Sequence, residues 1–536
     1  MEYLKSHDSS KADSQNDILS VEHGQTNTLK KHLKPRHVNF LALGGSLGVG
    51  LFVGSGGSLA IAGPVGMLIS YVIMSIITMF TLFSLAEMCC FLGNEGNFVE
   101  MTTRFIDRSA GFSYTWCYAL NYNLTLSSEI SSICLLIGYW DQDKKLPDYA
   151  TVLIFTFIVL MVNIVDVGTY GEVEFWITLI KLIMIIGSMI FCLVATCGGN
   201  PLHKTTGFQY WRDPGPFVHY LTEKPVGVFL GIWRVFVNAG YGFQGTEVVG
   251  ITNSEVPNFR RMVPSLMKSI FFRILIFNVI SLFMVTLMVS SNDSKLLSAI
   301  NSGVANGAQS PFVIAVENAG VKVLPSIVNG GILIAAISAA NTQIYIPSRT
   351  YFFGHKFGYC PRFLTITNKN GVPVYSVIFN ASFGLLALLT LNNVAEQVFN
   401  WLMNLSTVFG FLCWAAIDYA YIRYYFALKK QGIDRNSLPI WRSPLQPYSS
   451  IFACLILIVI SLTQGFTAFM PWNIQEFFSA YISLIIYAIC WIGYKIYTWD
   501  FQQVPLSNID VQFCEEEEEP EEERSKLSKR IDNFFK

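Results

Sequence analysis

The chain is 536 residues long, with 52% hydrophobic residues and only 14% charged ones. Soluble globular domains carry about a quarter charged residues, so this composition predicts a protein whose apolar surface faces lipid. Its 36 Lys and Arg residues nearly balance 37 Asp and Glu residues, giving a net charge of -1, whereas binding to nucleic acid needs a basic surface. The expected partner is therefore the lipid bilayer, and nucleic acid is excluded.

Neither a metal site nor a cofactor is indicated by the sequence. The seven His residues stand in tails and predicted loops, with no HExxH motif and no Cys-x-x-Cys pair. Most of the eleven Cys residues stand singly inside apolar runs, as small hydrophobic residues do. Gly240, Gly242 and Gly245 have the spacing of a dinucleotide fingerprint, but no strand precedes them. No residue constellation supports an enzyme.

Twelve apolar runs follow a polar N-terminal segment. Residues 1–36 are rich in Ser, Asp, Lys and Asn and lack an apolar signal-peptide core, so we expect a disordered tail and an uncleaved first span. A helix of about 20 apolar residues crosses a bilayer core of about 30 Å. The expected spans are 37–63, 65–91, 111–138, 148–165, 173–197, 228–251, 269–291, 324–352, 372–392, 397–426, 449–470 and 474–498.

The distribution of basic residues predicts the orientation of these spans. With the N-terminus inside, the inner loops and tail carry sixteen Lys and Arg residues and the outer loops carry seven. The positive-inside rule therefore favours a cytoplasmic location for both termini. The Glu-rich run at 515–523 is expected to be a solvated acidic tail.

Two glycine clusters stand inside predicted spans. The first cluster lies at residues 44–57 of span one, and the second, with the sequence GYGFQGTE, lies at 240–247 of span six. Glycines in such positions either allow helices to pack closely or mark broken helices at corresponding places in two repeats of a transporter. Two breaks would offer backbone amides to a carboxylate and carbonyls to an ammonium group, which together fit a free amino acid.

Ionisable side chains within the spans are candidates for function, because a charge at the bilayer centre costs about 2.5 to 3.5 kcal/mol. Arg234 and Asp418 are expected to snorkel or to form structural pairs. Glu87 lies near the cytoplasmic end of span two, which favours a structural or gating role. The complete set is Glu87, Glu129, Lys181, Arg234, Glu247 and Asp418.

Three of these residues are candidates for transport chemistry. Lys181 lies about 12 Å into span five, where its ammonium group must find an internal partner, lose its proton or snorkel, so it is a candidate for proton coupling. Glu129 is flanked by serines in span three, and Glu247 directly follows the second glycine cluster. Each carboxylate could bind a cationic side chain, carry a proton or brace two helices.

Ordered motifs between about residues 33 and 513 resemble those of the fungal amino-acid permeases, in the amino acid, polyamine and organocation superfamily. These motifs are LKPRH at 33–37, AGPVG at 62–66, GEVEFWITLIK at 171–181, FQGTE at 243–247, SAAN at 338–341 and WLMNLS at 401–406. Two further stretches are most similar to yeast basic amino-acid permeases, namely SPFVIAVEN at 310–318 and QGFTAF at 464–469.

The fold class implied by this resemblance is an all-α integral membrane protein of the LeuT type. It has twelve transmembrane helices, arranged as two inverted five-span repeats and two additional C-terminal helices. The implied organisation is a disordered cytoplasmic tail at 1–36, a first repeat at 37–197, an extracellular loop at 198–227, a second repeat at 228–426, the last two spans at 449–498 and an acidic cytoplasmic tail at 499–536.

The resemblance also implies site residues. For the substrate carboxylate, the first break supplies Ser46, Gly48, Val49 and Gly50. For the amine, the second break supplies Tyr241, Gly242, Phe243, Gln244, Gly245 and Thr246. The substrate side chain is expected to approach Glu129, Thr246, Ser406 and Thr407, and the acidic position of Glu129 occurs in both broad-range and basic members of the family. Lys181 matches the lysine that takes the place of a sodium ion in related transporters, and proton coupling is expected to involve Lys181, Glu129 and Glu247. The family usually has Thr at the position of Val49, which removes a hydroxyl from the first break.

We therefore expect a proton-coupled plasma-membrane permease that imports amino acids, cationic ones such as arginine and lysine, by alternating access. Its expected partners are the amino-acid substrate, the proton, the bilayer and cytoplasmic trafficking machinery on the tails, with no cofactor. The alternatives are a permease for neutral or many amino acids and a non-transporting amino-acid receptor of the same fold. The short tails favour transport over signalling.

Overall fold

The computed structural model describes residues 48–513, apart from 94–95, 142, 144, 166, 253–258, 303–309 and 392–394. Four predictions lie outside the described residues: the N-terminal tail at 1–36, the first part of span one at 37–47, the site residue Ser46 and the Glu-rich run at 515–523.

The described residues are mainly α-helical and form no β-strand, with one isolated bridge between Phe469 and Trp472. The helices of the first half are α1 (Val49–Phe52), α2 (Gly54–Leu92), α3 (Phe98–Phe105), α4 (Arg108–Ile137), α5 (Asp148–Ile164), α6 (Val167–Thr196), α7 (Gln209–Arg212), α8 (Pro225–Phe243) and α9 (Val249–Thr252). Those of the second half are α10 (Phe259–Arg273), α11 (Ser281–Thr286), α12 (Ser294–Ser302), α13 (Pro311–Asn318), α14 (Leu324–Lys356), α15 (Val374–Ser382), α16 (Ala395–Lys430), α17 (Tyr448–Thr463) and α18 (Ile474–Thr498). Short 3-10 segments occupy Thr246–Val248, Arg362–Thr365, Phe383–Leu391, Arg435–Ser437 and Phe466–Ala468, and a π-helix, Ile274–Ile280, joins α10 to α11.

Nine helical stretches in the described part of the chain are long and apolar enough to cross a bilayer. One of them, Val49–Leu92, has 44 residues, which is about 66 Å of helix and enough for two crossings. Gly63 divides it with a φ of 74° and a ψ of 175°, at the predicted boundary between spans one and two. The predicted spans from the second to the twelfth all overlap helical stretches, while the count of twelve crossings remains a prediction.

The two faces of α6 illustrate how the helices divide their side chains between lipid and protein. Trp176, Ile183 and Ile190 recur every seven residues and are 61%, 64% and 58% exposed. Glu174 and Lys181 also lie seven residues apart, about 200° around the helix from that stripe, and both are buried. The helical period therefore turns apolar side chains towards lipid and the two charged side chains towards the bundle.

Glu87 anchors the loop that follows α16. Its carboxylate accepts two hydrogen bonds of 2.6 Å from Arg435 and one of 2.9 Å from the hydroxyl of Tyr421. The backbone N–H and the hydroxyl of Ser443 donate to it as well, at 2.8 and 2.6 Å. All five donors belong to α16 and to the loop that follows it, so the geometry favours a structural role for Glu87 over a gating role.

The chain after α18 packs against the same end of the bundle. The N–H of Val504 donates to the carbonyl of Ile106 at 3.2 Å, and Arg104 forms a 2.8 Å ion pair with Asp510. Ile509 is also buried. The first part of the predicted C-terminal tail, residues 499–513, is thus attached to the bundle.

The interruption at Gly63 yields a test of the fold. A Cβ at this position would lie 3.0 Å from the backbone of Phe217 and Pro216, and alanine is strained at this φ. We expect Gly63→Ala to destabilise the protein by about 1 to 3 kcal/mol, lowering the midpoint of thermal unfolding in detergent. Gly187→Ala is the control, because nothing lies within 4 Å of the added Cβ in α6. Equal midpoints for the two variants would contradict the strain assigned to Gly63.

Candidate functional site

The second predicted break is confirmed by the backbone. Helix α8 ends at Phe243, Gln244 is extended, with φ of -61° and ψ of 145°, and Gly245 has a φ of 94°. The chain then continues as the 3-10 segment Thr246–Val248. Glycine is needed at Gly245 because side chains are strained at such a positive φ.

The first predicted break begins at the edge of the described residues. Gly48 is extended, with φ of -109° and ψ of -165°, and α1 starts at Val49. The two breaks touch each other, since a Cβ on Gly50 would lie 2.5 Å from the Tyr241 ring and 3.0 Å from the Cα of Gly242. The described residues therefore show close packing of glycines between the two clusters, and unwinding at the second cluster.

Polar side chains hold the second break in shape. The amide of Gln244 donates to the carbonyls of Ser406 and Thr407 on α16, at 3.4 and 3.3 Å. The N–H of Gly245 donates to Glu247 at 3.1 Å. Backbone groups that leave a helix inside the membrane need such partners, because no water reaches them from the lipid.

A small cavity lies between the two breaks and helices α4 and α14. Six of the predicted substrate residues line it: Gly48, Gly50, Glu129, Tyr241, Gly242 and Gln244. Its remaining lining residues are Thr125 and Gln343. The structure thus brings the two glycine clusters and Glu129 to one buried space.

Glu129 is buried against the first break. Its Oε1 accepts a 3.4 Å hydrogen bond from the hydroxyl of Tyr241, and a Cβ on Gly48 would lie 2.9 Å from the same oxygen. Its Oε2 has no hydrogen-bond partner among the described residues. A buried carboxylate oxygen without a partner is costly, so this atom is suited to a ligand that donates hydrogen bonds.

Two further lining residues also have a buried oxygen without a hydrogen-bond partner among the described residues. The Oε1 atoms of Gln244 and Gln343 are buried and have no partner within the part of the chain described here. Together with Glu129, these lining residues therefore have three buried oxygen acceptors without a partner among the described residues, one of them on a carboxylate. Ammonium and guanidinium groups carry only donors and a positive charge, so the chemistry of the cavity is complementary to a cationic ligand.

Lys181 lies beside this cavity, on the buried face of α6. Its Nζ is 3.9 Å from Oε1 of Glu174, and the side chains are 0% and 2% exposed. Glu129 also lies within electrostatic reach of Lys181. The lysine therefore stands between two carboxylates and does not snorkel to the membrane surface.

Glu247 serves as a brace in this structure. Its Oε1 accepts hydrogen bonds from the hydroxyls of Tyr122 at 2.7 Å and Tyr118 at 3.5 Å, both on α4. Its Oε2 accepts the N–H of Gly245. These contacts tie the second break to α4, and Glu247 does not line the cavity.

The other predicted substrate residues surround the cavity without lining it. The hydroxyls of Ser406 and Thr407 both donate to the carbonyl of Met403, at 3.0 and 2.6 Å, and their own carbonyls hold Gln244. The hydroxyl of Thr246 donates to the carbonyl of Phe243 at 2.9 Å. Val49, Phe243, Gly245 and Thr246 are buried within the two breaks.

Three residues near the site were missing from the sequence-based set. Thr125 stands one turn before Glu129, so helical spacing could have placed it on the same face. Glu174 lies seven residues before Lys181, a spacing that also indicates a shared face. Gln343 is a neutral amide within an apolar helix, and no sequence pattern marks it.

Residues 37–504 match the family model for amino acid permeases. The chain is 41% identical over 494 residues to the lysine-specific permease of Saccharomyces cerevisiae, covering 91% of this chain and 79% of that protein. It is 37% identical over 488 residues to the basic amino-acid permease of the same yeast, covering 90% of this chain and 84% of that protein. The structure resembles that of the Eremococcus coleocola manganese transporter with a TM-score of 0.54 at 14% identity, covering 87% and 93% of the two chains. This last likeness concerns the fold alone.

The contact between the two breaks leads to a prediction. Gly50→Ala should lower substrate uptake at least about tenfold, because the added Cβ would push apart the Tyr241 ring and the Gly242 backbone. Gly57→Ala is the matched control, since its Cβ would meet only Asn238, at 3.7 Å. Uptake by cells is compared after correction for the amount of each variant at the cell surface. Normal uptake by Gly50→Ala would show that the close approach is not needed.

Proposed function

This chain belongs to the amino acid permease family, and we propose that it imports cationic amino acids, lysine and arginine, across the plasma membrane. Amino-acid transport by a multi-pass membrane protein follows from the family and from the apolar helices. Its relatives are named permeases and are not enzymes, in agreement with the sequence-based expectation.

The observation that carries the cationic assignment is a set of three buried oxygen acceptors, on residues that line the cavity, without a partner among the described residues. Glu129, Gln244 and Gln343 each have one such oxygen. A neutral apolar side chain would leave all three without hydrogen bonds, at a cost of about 1 to 3 kcal/mol for each group. A lysine or arginine side chain supplies both the donors and the opposite charge.

The two breaks are proposed to hold the groups common to all amino acids. The α-carboxylate would bind at the first break, near Gly48 and Gly50, and the α-ammonium group at the second, near Tyr241 and Gly242. The direct contact between these glycines supports this assignment, because both ends of one small molecule can then be reached at once. Ser406 and Thr407 would act indirectly, by fixing Gln244 through their carbonyls.

Proton coupling is assigned to Lys181 and Glu129. Their buried positions on two different helices support this role, because a change of charge on either would alter how α4 and α6 attract each other. Glu247 is assigned a bracing role instead, since three donors already occupy its carboxylate.

Alternating access is proposed to use the LeuT-type arrangement of two inverted five-span repeats followed by two more spans. The interruption of span six after Phe243 supports it, as do the extended Gly48 before α1 in span one and the similarity in fold to a transporter. Both termini would lie in the cytoplasm, where the tails could meet trafficking machinery.

Uptake of labelled lysine, arginine and leucine by proteoliposomes tests the function. With the lumen alkaline relative to the medium, we expect lysine and arginine to accumulate and to compete with each other, because protons enter with them. A protonophore should abolish the accumulation. Saturable leucine uptake that ignores excess arginine would instead support a permease for neutral amino acids, and binding without any flux would support a receptor.

Glu129→Gln tests the charge in the cavity. The variant keeps the size of the side chain and removes its negative charge, so the apparent KM for lysine should rise at least about tenfold, or about 1.4 kcal/mol. Inhibition by neutral amino acids should change less. Glu476→Gln is a suitable control, because this carboxylate lies at the exposed start of α18. An equal loss for cationic and neutral ligands would reduce Glu129 to a structural brace.

A further inference from the structure

Glu174 is a buried carboxylate that the proposed transport cycle does not yet use. Its Oε1 accepts hydrogen bonds from the hydroxyl of Ser338 on α14 at 2.5 Å and from Thr178 on its own helix at 3.4 Å. The same oxygen lies 3.9 Å from the ammonium group of Lys181. Glu174 is therefore fixed between two helices, and its charge faces the lysine.

Lys181 faces a carboxylate on each of two helices. Glu174 lies on α6 together with the lysine, while Glu129 lies on α4 and lines the cavity. A buried lysine needs a counter-ion, because an unpaired charge in the interior is strongly destabilising. The presence of Glu174 means that Lys181 does not depend on Glu129 alone for this partner.

The three side chains comprise two acidic groups and one basic group. With both carboxylates ionised and the lysine protonated, they carry a net charge of -1 in the buried interior. Of the two carboxylates, Glu129 is the one that lines the cavity, and its Oε2 lacks a partner among the described residues. A single positive charge in the cavity would neutralise the net charge of the three side chains. The side chain of lysine or arginine carries one such charge.

We propose that Glu174 is a specificity-determining positioning residue, which holds Lys181 so that the charge of Glu129 remains available to a cationic substrate side chain. Without Glu174, Lys181 would neutralise Glu129, and the cavity would suit a neutral amino acid. Ser338 and Thr178 assist by fixing the carboxylate of Glu174. This inference rests on the proposed import of cationic amino acids.

The test compares lysine with norleucine, which has the same carbon chain without the terminal ammonium group. The apparent KM for lysine and the inhibition constant of norleucine are measured by exchange in proteoliposomes without a pH gradient. In Glu174→Gln we expect the preference for lysine over norleucine to fall at least about tenfold, or about 1.4 kcal/mol. The glutamine keeps an oxygen that can accept the hydroxyl of Ser338.

A double variant separates charge from structure. In Glu174→Gln combined with Lys181→Met, Glu129 again carries the only charge of the group, so the preference for lysine should return to within about threefold of wild type. Loss of a merely structural contact would not be repaired by a second buried substitution. Glu317→Gln is the matched control, because it removes a carboxylate from a more exposed ion pair with Lys295.

An unchanged preference in Glu174→Gln, or a lost preference that the double variant does not restore, would overturn the inference while lysine uptake by the wild type upholds the proposed function. A wild type without lysine uptake would overturn the proposed function itself. If Glu174→Gln is not monodisperse after purification, Ser338→Ala decides, because it loosens Glu174 without removing charge. A reduced lysine preference then supports the inference, and an unchanged one overturns it.

Discussion

The lack of water inside the hydrocarbon layer is the constraint on which the rest of this structure depends. A backbone group that leaves a helix there loses its partner at a cost of several kcal/mol, so an interruption must lie within the protein and be supplied with polar side chains. The break at Gln244 and Gly245 meets this condition because Glu247 accepts the backbone N–H of Gly245, while the side chain of Gln244 ties the break to the carbonyls of α16. Since the first break lies directly against it, both open onto the same interior space, which is the cavity.

This requirement also explains the unusual composition of α4. The helix is 30 residues long but carries serines, threonines, asparagines and tyrosines along most of its faces, nearly all of them buried. It supplies Tyr122 to the brace of the second break and Glu129 to the cavity. A helix of this kind is held in the bundle by neighbouring helices and not by lipid, so its apolar content is low although it is central to the fold.

The sequence predicted the helices more completely than the site. Apolar runs and flanking charges located the helical stretches, and glycine clustering located the break at Gln244 and Gly245, because charged side chains and unpaired backbone groups are costly in lipid. Glu174 was missed because span five was predicted to begin at Val173, which placed the carboxylate at the membrane edge. The structure instead starts α6 at Val167, so Glu174 lies two turns after the start of the helix. Ser406 and Thr407 lie on a helix that is buried on most sides, where sequence cannot tell which group faces the cavity.

The buried carboxylates differ in how fully their oxygens are satisfied, and this difference separates braces from the site. Glu87 accepts five hydrogen bonds and Glu247 accepts three, while Asp418 accepts one on each oxygen from the hydroxyls of Thr81 and Ser84. Glu129 accepts a long hydrogen bond from Tyr241, and both Glu129 and Glu174 leave their second oxygen without a partner among the described residues, but of these two only Glu129 lines the cavity. Burial is common to all five, so burial alone does not identify function. A buried charge that the protein leaves incompletely paired, next to a cavity, requires a ligand to complete it.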